Sequence, residues 1–189
     1  MLKIILVLFL FFNTKVFAED LKKVYFGGGC FWCMEESFDK AVGVKDVISG
    51  YSGGTTQNPT YKEVTYGNTG HFEVVEIVYD SKITNFENLL NVFWKNIDPF
   101  DKAGQFCDKG YSYRSVAFYT NNDEKKLIED DIQEIEKKFN QKVVTYIRKF
   151  EIFYKAEEHH QDYYKEKFLN YLLYKEGCGR QRKLDNIWQ

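Results

Sequence analysis

The run GGGCFWC at residues 27–33 holds the side chains best suited to chemistry. Three glycines allow a sharp turn from a strand into a helix, which would place Cys30 at the helix N-terminus. Unpaired N–H groups and the positive end of the helix dipole stabilise a thiolate there, so we expect a lowered pKa and a nucleophilic Cys30. Cys33 would be its reactive partner. The alternatives are a buried structural cysteine, or half of a zinc site without a second ligand pair.

The segments around this run alternate between strand and helix patterns. Residues 24–26 are strand-like, and Phe31, Met34 and Phe38 recur at helical spacing. This alternation predicts an α+β domain with one mixed sheet and helices packed on it. Further strands are expected at residues 44–51, 72–79, 116–119 and 143–147. Helices are expected at 86–97, with a capping box at 84–87, at 123–139 and from 156 onward. Loops are expected at 53–70 and 98–113, and irregular chain at 177–179.

The first 18 residues have the pattern of a secretory signal peptide. A basic start at Lys3 precedes nine apolar residues at positions 4–12, and residues 16–18 (VFA) form a cleavage pattern. Nine residues are too few for a bilayer-spanning helix, which needs about 20. We expect cleavage after Ala18 and a mature domain at residues 19–189, exported to the periplasm or the cell exterior and free of the membrane. The alternatives are a retained anchor and a buried core helix.

The mature chain would be weakly acidic. Cleavage removes Lys3 and Lys15 but no acid, which leaves 24 basic and 28 acidic side chains and a net charge of −4. No face or tail is strongly basic, so we expect no nucleic-acid partner. All four cysteines lie in the mature part. An even count in an exported protein usually suggests structural disulfides, but their uneven spacing here argues against a small disulfide-stapled scaffold.

Residues 29–32 (GCFW) resemble the active-site signature of the methionine sulfoxide reductase A family. Four further segments agree in order: NPTY at 58–61, GHFE at 70–73, DKG with YRS at 108–115, and AE with HQ at 156–161. The resemblance runs from about Val24 to about Gly179. It implies an oxidoreductase that reduces the S epimer of free or peptide-bound methionine sulfoxide, in a single two-layer α/β sandwich with a ferredoxin-like core.

The resemblance also assigns roles to individual residues. Cys30 matches the nucleophile, whose thiolate attacks the sulfoxide sulfur and becomes a sulfenic acid as methionine leaves. Glu73 matches the acid that protonates or hydrogen-bonds the sulfoxide oxygen. The remaining matches are Phe31 and Trp32 for the pocket of the substrate methyl group, Tyr61 and Tyr113 for hydroxyls that hold the sulfoxide oxygen, and Asp108 for a polar residue that positions water or substrate.

The strand pattern around Glu73 is consistent with an acid. Glu73 shares a strand face with Val75 and Ile77, where desolvation would raise its pKa and keep it protonated. Glu76 lies on the opposite face of the same strand. The pattern alone does not separate the two carboxylates, and either could reach solvent at a strand end.

Cys33 departs from a common form of the family, in which glycine stands there and C-terminal cysteines resolve the sulfenic acid. Residues three apart on a helix have Cβ atoms about 5–6 Å apart. A disulfide needs about 3.5–4.5 Å, so the first helical turn must deform. We expect Cys33 to resolve first, with Cys178 as a relay or alternative resolver on a segment that its flanking glycines allow to swing inward. Cys107 is expected to be a structural neighbour of the site, and His160 to touch it.

The resemblance implies no metal, flavin or nicotinamide cofactor, and a thioredoxin-like dithiol as the electron donor. We also expect a monomer. Two other classes of function stay open. A thioredoxin-like disulfide exchanger also carries C-x-x-C at a helix start, although its usual proline facing the motif is not evident among Pro59 and Pro99. A non-enzymatic metal-binding module would use the four cysteines.

Overall fold

A six-stranded sheet organises the chain in this computed structural model, which describes residues 19–189. The signal-peptide prediction concerns residues 1–18 and lies outside the described residues. The sheet has the order β7-β6-β1-β3-β2-β8, and neighbours are antiparallel except for the parallel pair β6 and β7. Its strands are β1 (Leu21–Gly27), β2 (Val44–Ser52), β3 (Phe72–Asp80), β6 (Val116–Tyr119), β7 (Tyr146–Lys149) and β8 (Phe153–Lys155).

Seven α-helices and a small hairpin complete the part of the chain from residue 19 onward. The hairpin pairs β4 (Gly104–Gln105) with β5 (Asp108–Lys109). No helix in this region has the length and apolar character needed to cross a bilayer. The helices are α1 (Phe31–Asp39), α2 (Tyr61–Tyr66), α3 (Phe86–Lys95), α4 (Asn122–Phe139), α5 (Tyr163–Glu166), α6 (Phe168–Cys178) and α7 (Arg180–Trp188).

The centre of the fold follows the ferredoxin-like order of elements. Four strands and two helices succeed one another as β1-α1-β2-β3-α3-β6, with α2 inserted before β3. The strands lie side by side as β6-β1-β3-β2. The expected α+β class, the single mixed sheet and its packed helices are confirmed. This arrangement places the start of α1 beside the start of β3, at one end of the sheet.

The two faces of the sheet are covered differently. The main core packs α1, α3 and α4 on one face, where Val75 and Ile77 of β3 meet Phe38 of α1. The opposite face is a smaller aromatic cluster around Phe72 and Phe118. Because successive strand residues alternate between faces, Glu73 lies on the helix-covered face and Glu76 on the other.

Several predicted elements differ from the structure. The predicted loop at 53–70 contains α2, and β8 was not predicted. The strand predicted at 143–147 begins later than expected, as β7 at Tyr146–Lys149. The predicted capping box at Thr84 is also wrong. Asn85 caps α3 by accepting a hydrogen bond from Asn88 N–H, because the Thr84 N–H is already bonded to the carbonyl of Asp80 in the preceding turn. The chain predicted to be irregular at 177–179 is helical up to Cys178, and only Gly179 breaks it, with φ 64°.

Candidate active site

The glycine run makes a close-packed turn that fixes Cys30. Gly29 has φ +83°, in the left-handed region that favours glycine, and a Cβ there would lie 2.6 Å from the Gln105 side chain. A Cβ on Gly27 would lie 2.6 Å from the carbonyl oxygen of Glu73. Cys30 follows as the N-cap residue of α1, as the sequence predicted. The backbone therefore holds the thiol of Cys30 at the N-terminus of a buried helix.

Cys30 and Cys33 are free thiols and are almost fully buried, with exposed fractions of 6% and 2%. Burial raises the pKa of Cys30 well above its ordinary value, and the hydrogen bond shared with Cys33 adds to the rise. That hydrogen bond lowers the pKa of Cys33 to about 7, with help from the positive charge of Arg180. The predicted lowering of the Cys30 pKa is thus wrong, because desolvation outweighs the helix N-terminus. Cys33 is therefore the more acidic thiol of the pair.

The Glu73 side chain extends from β3 towards the N-terminus of α1. Its Oε2 accepts a hydrogen bond of 3.0 Å from the backbone N–H of Phe31, the first residue of α1. Its Oε1 is buried and makes no well-formed hydrogen bond within residues 19–189, although the nearby Tyr113 hydroxyl opposes the rise in the Glu73 pKa. Burial raises the pKa of Glu73 to about 8, and the nearby charge of Asp108 adds to the rise. The carboxyl is therefore protonated at neutral pH, with one oxygen left for a ligand.

A cavity of about 60 Å³ lies between these groups. This volume is far below the roughly 300–1,000 Å³ of sites for drug-sized ligands, and it suits the end of one side chain. Seven of the nine predicted site residues line the cavity. They are Cys30, Phe31, Trp32, Tyr61, Glu73, Asp108 and Tyr113; Cys33 lies one helical turn behind it, and Cys178 lies outside it.

Tyr61 and Tyr113 bring two hydroxyls to the cavity from different loops. Tyr61 is the first residue of α2, whose capping box joins Thr60 and Glu63. The Glu157 carboxylate accepts a 2.8 Å hydrogen bond from the Tyr61 backbone N–H. Burial raises the pKa values of both Tyr61 and Tyr113, that of Tyr61 to about 12. Both phenols are therefore neutral donors.

Aromatic rings make the apolar side of the cavity. The Trp32 ring is stacked on Tyr163, with ring centroids 3.8 Å apart. His160 is 4% exposed and contacts the ring of Tyr61 at 4.4 Å and that of Phe31 at 5.1 Å. Burial lowers the pKa of His160 to about 4, so the imidazole is neutral. The expectation that His160 approaches the site is met.

The second pair of cysteines forms a disulfide between Cys107 and Cys178. Cys107 lies in the turn of the β4–β5 hairpin, and Cys178 ends α6. Cys178 was expected to be a relay or alternative resolver and Cys107 a structural neighbour of the site, whereas the structure joins the two in one disulfide. The four cysteines are thus divided into a free pair and a bonded pair, which does not match a single four-cysteine metal site.

Sequence reasoning missed Tyr174, which lines the cavity from α6. Its hydroxyl donates a 2.5 Å hydrogen bond to Asp108, and its ring meets Trp32 edge-on with centroids 6.0 Å apart. Nothing marks it among 14 tyrosines except its position four residues before Cys178. Glu157 was also missed as the anchor of Tyr61, although its segment was one of those that carried the resemblance.

These groups together can reduce a small polar oxide. A dithiol supplies two electrons, a protonated carboxyl supplies a proton, and two phenols donate hydrogen bonds to an oxygen atom. The apolar rings accept a methyl or methylene group next to that oxygen. Nucleophile, acid and donors around one small cavity fit a compact sulfur–oxygen group at the end of a flexible side chain.

Comparison with known proteins agrees with this chemistry. The family described as peptide methionine sulfoxide reductase matches residues 22–189. The peptide methionine sulfoxide reductase MsrA of Listeria innocua is 47% identical over 173 residues, which cover 90% of this chain and 98% of the relative. The MsrA 2 protein of Staphylococcus aureus is 44% identical over 163 residues, which cover 85% and 92%.

Solved structures are similar as well. Methionine sulfoxide reductase A of Corynebacterium diphtheriae has a TM-score of 0.72 at 29% identity, covering 79% of this chain and 76% of its own. The reduced form of Mxr1 from Saccharomyces cerevisiae has a TM-score of 0.72 at 30% identity, covering 80% and 90%. The likeness extends over most of the described domain.

Proposed function

The chain belongs to the peptide methionine sulfoxide reductase family, and from this we propose that Cys30 attacks the sulfoxide sulfur while Glu73 acts as the acid. The enzyme is a peptide-methionine (S)-S-oxide reductase that converts the S epimer of free or peptide-bound methionine sulfoxide to methionine. One observation carries the assignment of roles: Cys30, the protonated Glu73 and the two tyrosine hydroxyls surround a single cavity of about 60 Å³.

The nucleophile is activated by its neighbour. Once the coupled pair has lost one proton, the form with the remaining proton on Cys33 has its negative charge on Cys30, and this Cys30 thiolate is the nucleophile. This thiolate attacks the sulfoxide sulfur. Glu73 Oε1, buried and unpaired, donates a proton to the oxygen, and Tyr61 and Tyr113 donate hydrogen bonds to it. Methionine leaves, and the oxygen remains on Cys30 as a sulfenic acid.

The sulfenic acid is resolved by the nearer thiol. Cys33 attacks the Cys30 sulfur, a sulfur–sulfur bond forms, and the oxygen leaves as water. A dithiol reductant then returns both cysteines to thiols and is itself oxidised to a disulfide. A thioredoxin-like protein has the required chemistry. Cys33 is favoured over Cys178 as the first resolver because Cys33 is a free thiol one helical turn from Cys30, whereas Cys178 is bonded to Cys107.

Reduction of the separate R and S epimers with dithiothreitol tests this function, using wild type and Cys30→Ser. Wild type is expected to reduce the S epimer only, and Cys30→Ser neither. A thioredoxin-like exchanger, the alternative class, would turn over a disulfide substrate and leave both sulfoxides intact. Sulfoxide reduction that survives in Cys30→Ser would remove Cys30 from its role.

The mature enzyme is proposed to be exported, after cleavage at Ala18, to the periplasm or the cell exterior. The basic start, apolar run and cleavage pattern of residues 1–18 support this. The Cys107–Cys178 disulfide supports it independently, since such bonds persist in oxidising compartments. Mass spectrometry of the protein from its native host should find an N-terminus at Glu19. An intact Met1 in the cytosolic fraction would contradict export.

We further propose that the mature protein acts as a monomer without a membrane anchor. The eight residues around the cavity already include the nucleophile, the acid and the hydroxyl donors that the proposed reaction requires. Light scattering on the active fraction should give the mass of a single chain. Activity confined to a dimeric fraction would contradict this part of the proposal.

A further inference from the structure

Two links join the β4–β5 hairpin to helix α6 beside the cavity. One is the disulfide between Cys107 and Cys178, which closes a separation of 71 residues. The other is the hydrogen bond from the Tyr174 hydroxyl to Asp108. Cys107 directly precedes Asp108, and Tyr174 lies one helical turn before Cys178. The covalent bond and the hydrogen bond therefore join the same two segments.

The two links are close together in space. A carboxylate oxygen of Asp108 and the two disulfide sulfurs all lie within 4.8 Å of one another. Asp108 and Tyr174 both line the cavity that receives the sulfoxide in the proposed function. A movement of the hairpin away from α6 would consequently carry Asp108 out of the cavity wall.

Gln105 and Phe106 anchor the first half of the hairpin, but its second half and much of α6 bury little surface. The hairpin strands have two residues each, and Cys107 is exposed in the turn between them. Helix α6 buries only Tyr171, whereas Phe168, Leu169 and Leu173 are more than half exposed. Short hairpins and helices with little buried surface depend on tertiary links for their position.

Arg180 holds the chain just beyond the disulfide. It is 3% exposed, and its guanidinium donates hydrogen bonds to the carbonyls of Asn96 and Gly28. The guanidinium also lies 4.5 Å from the centre of the Phe106 ring, next to Cys107. One end of α6 is thus anchored beneath the glycine turn, and the disulfide extends that anchorage to the hairpin.

We infer that the Cys107–Cys178 disulfide is a positioning staple for the substrate cavity, which keeps Asp108 and Tyr174 in place to bind methionine sulfoxide. This inference rests on the proposed function. It assigns the second cysteine pair a role in substrate affinity rather than in the electron path. Opening the staple breaks the sulfur–sulfur bond and gives two thiols, while a dithiol reductant is oxidised to its own disulfide. Affinity for the sulfoxide should then fall.

The test uses the full mature chain with Cys30→Ser and Cys33→Ser, so that Cys107 and Cys178 are the only cysteines left. Binding of the S epimer of N-acetyl-methionine sulfoxide amide is followed by calorimetry, with and without dithiothreitol. We expect about tenfold weaker binding after reduction, the scale of a lost hydrogen bond to a charged group. Equal affinity in the two states would overturn the inference.

Two matched variants in this background show how the staple acts. With Cys107→Ser and Cys178→Ser added, binding should be weak and unaffected by dithiothreitol. With Asp108→Asn added instead, reduction should cost little further affinity, because the staple acts through Asp108. A full tenfold response in the Asp108→Asn protein would show that the disulfide supports only the general fold, and would overturn the inference.

Tyr174→Phe provides a route that does not depend on the stability of the reduced protein. It keeps the disulfide but removes the hydrogen bond to Asp108, and it should weaken binding several-fold. Unchanged binding would count against the staple. Cys107→Ser gives a further test. If it binds the sulfoxide normally but no longer turns over with a protein dithiol as reductant, Cys107 and Cys178 act in electron transfer instead. If wild type failed to reduce the S epimer, that result would contradict the proposed function and not the binding measurements that test the staple.

Discussion

The cavity has two walls that are built in different ways. The chemical wall consists of Cys30, Phe31, Trp32 and Glu73, on α1 and β3. The loop wall consists of Tyr61, Asp108, Tyr113 and Tyr174, on α2, the β4–β5 hairpin, the 3₁₀ turn Tyr111–Tyr113 and α6. The first rests on the central sheet and a glycine turn, and the second on contacts between segments far apart in the chain. We infer that the chemical wall determines the rate of the reaction, and the loop wall determines substrate binding.

The largest expected effect comes from Glu73 on the chemical wall. Glu73→Gln keeps the size of the side chain and a hydrogen-bonding group but removes the proton. General acid catalysis is typically worth ~10²–10⁴-fold, and we expect a loss of that order in the sulfoxide reduction step. Single-turnover release of methionine, measured after rapid mixing, reads this step directly.

Glu76 is the matched control for this prediction. It is buried on the same strand, but it faces away from the cavity and accepts hydrogen bonds from Tyr25 and Lys23 at 2.8 Å each. Glu76→Gln should leave the rate of methionine release within a few-fold of wild type while lowering thermal stability. Equal losses of rate at the two positions would mean that Glu73 has no special role.

The second prediction concerns the resolving cysteine behind the chemical wall. Cys33→Ser should release its first methionine with a full yield but form no Cys30–Cys33 disulfide. Recycling by a protein dithiol should slow by roughly tenfold to a hundredfold, because a tethered thiol has a high effective concentration. Peptide mapping of the oxidised protein identifies the bonds, and Cys178→Ser should still form the bond between Cys30 and Cys33. An early Cys30–Cys178 bond in wild type would overturn the assignment.

The difference between the walls also explains how much the sequence could predict. The chemical wall follows from local rules: glycines turn the chain, alternation places Glu73 with Val75, and spacing three apart pairs Cys33 with Cys30. The Cys107–Cys178 bond depends on the approach of segments 71 residues apart, which no local pattern encodes. The resemblance found Tyr61 and Asp108, but local rules did not reveal how Glu157 and Tyr174 hold them.

Three errors were of a different kind, because the relevant sequence signal was present but a competing interaction determined the structure. A capping box at Thr60 and Glu63 starts α2, but the Gly- and Asn-rich surroundings favoured a loop. The helix N-terminus at Cys30 favours a thiolate, but near-complete burial costs more and raises the pKa. Val143 and Val144 have strand-forming side chains, yet the Val144 N–H bonds to Pro99 instead of the sheet.

The third prediction uses pH to separate the acid from the thiols. With increasing pH, the specificity constant kcat/KM should rise as the dithiol loses its first proton near the Cys33 pKa of about 7. It should fall as Glu73 loses its proton near its pKa of about 8. At pH 9 a group with that pKa is about one-tenth protonated, so we expect a roughly tenfold decline. The pH profile of kcat/KM in wild type and variants measures both limbs.

Variants identify the groups behind the two limbs. Glu73→Gln should lose the alkaline decline while keeping its low rate, and Glu76→Gln should retain the wild-type profile. Glu35 is a second buried carboxyl, whose pKa burial raises to about 7, and it is bonded to Ser49 and Asp162. If the rise of kcat/KM with pH disappears in Glu35→Gln but persists in Cys33→Ser, that rise reports the titration of Glu35 and not that of the dithiol.

The smallest expected effect comes from the loop wall, at the anchor of Tyr61. Glu157 accepts 2.8 Å hydrogen bonds from the Tyr61 backbone N–H and the Tyr51 hydroxyl, and these keep its pKa below the ordinary value despite burial. Glu157→Gln keeps one acceptor oxygen and loses the charge, so Tyr61 should be held less firmly. Weakening one charge-assisted hydrogen bond predicts a rise in KM of about three- to tenfold, with kcat nearly unchanged.

The exposed neighbour Glu158 supplies the control, because its carboxylate pairs with Lys155 at the surface and such pairs contribute little. Steady-state kinetics of Glu158→Gln should match wild type. If Glu157→Gln instead lowers kcat and leaves KM unchanged, Tyr61 takes part in the chemical step. The loop wall would then stabilise the transition state as the chemical wall does. Loss of an interaction made only in the transition state lowers kcat and kcat/KM together.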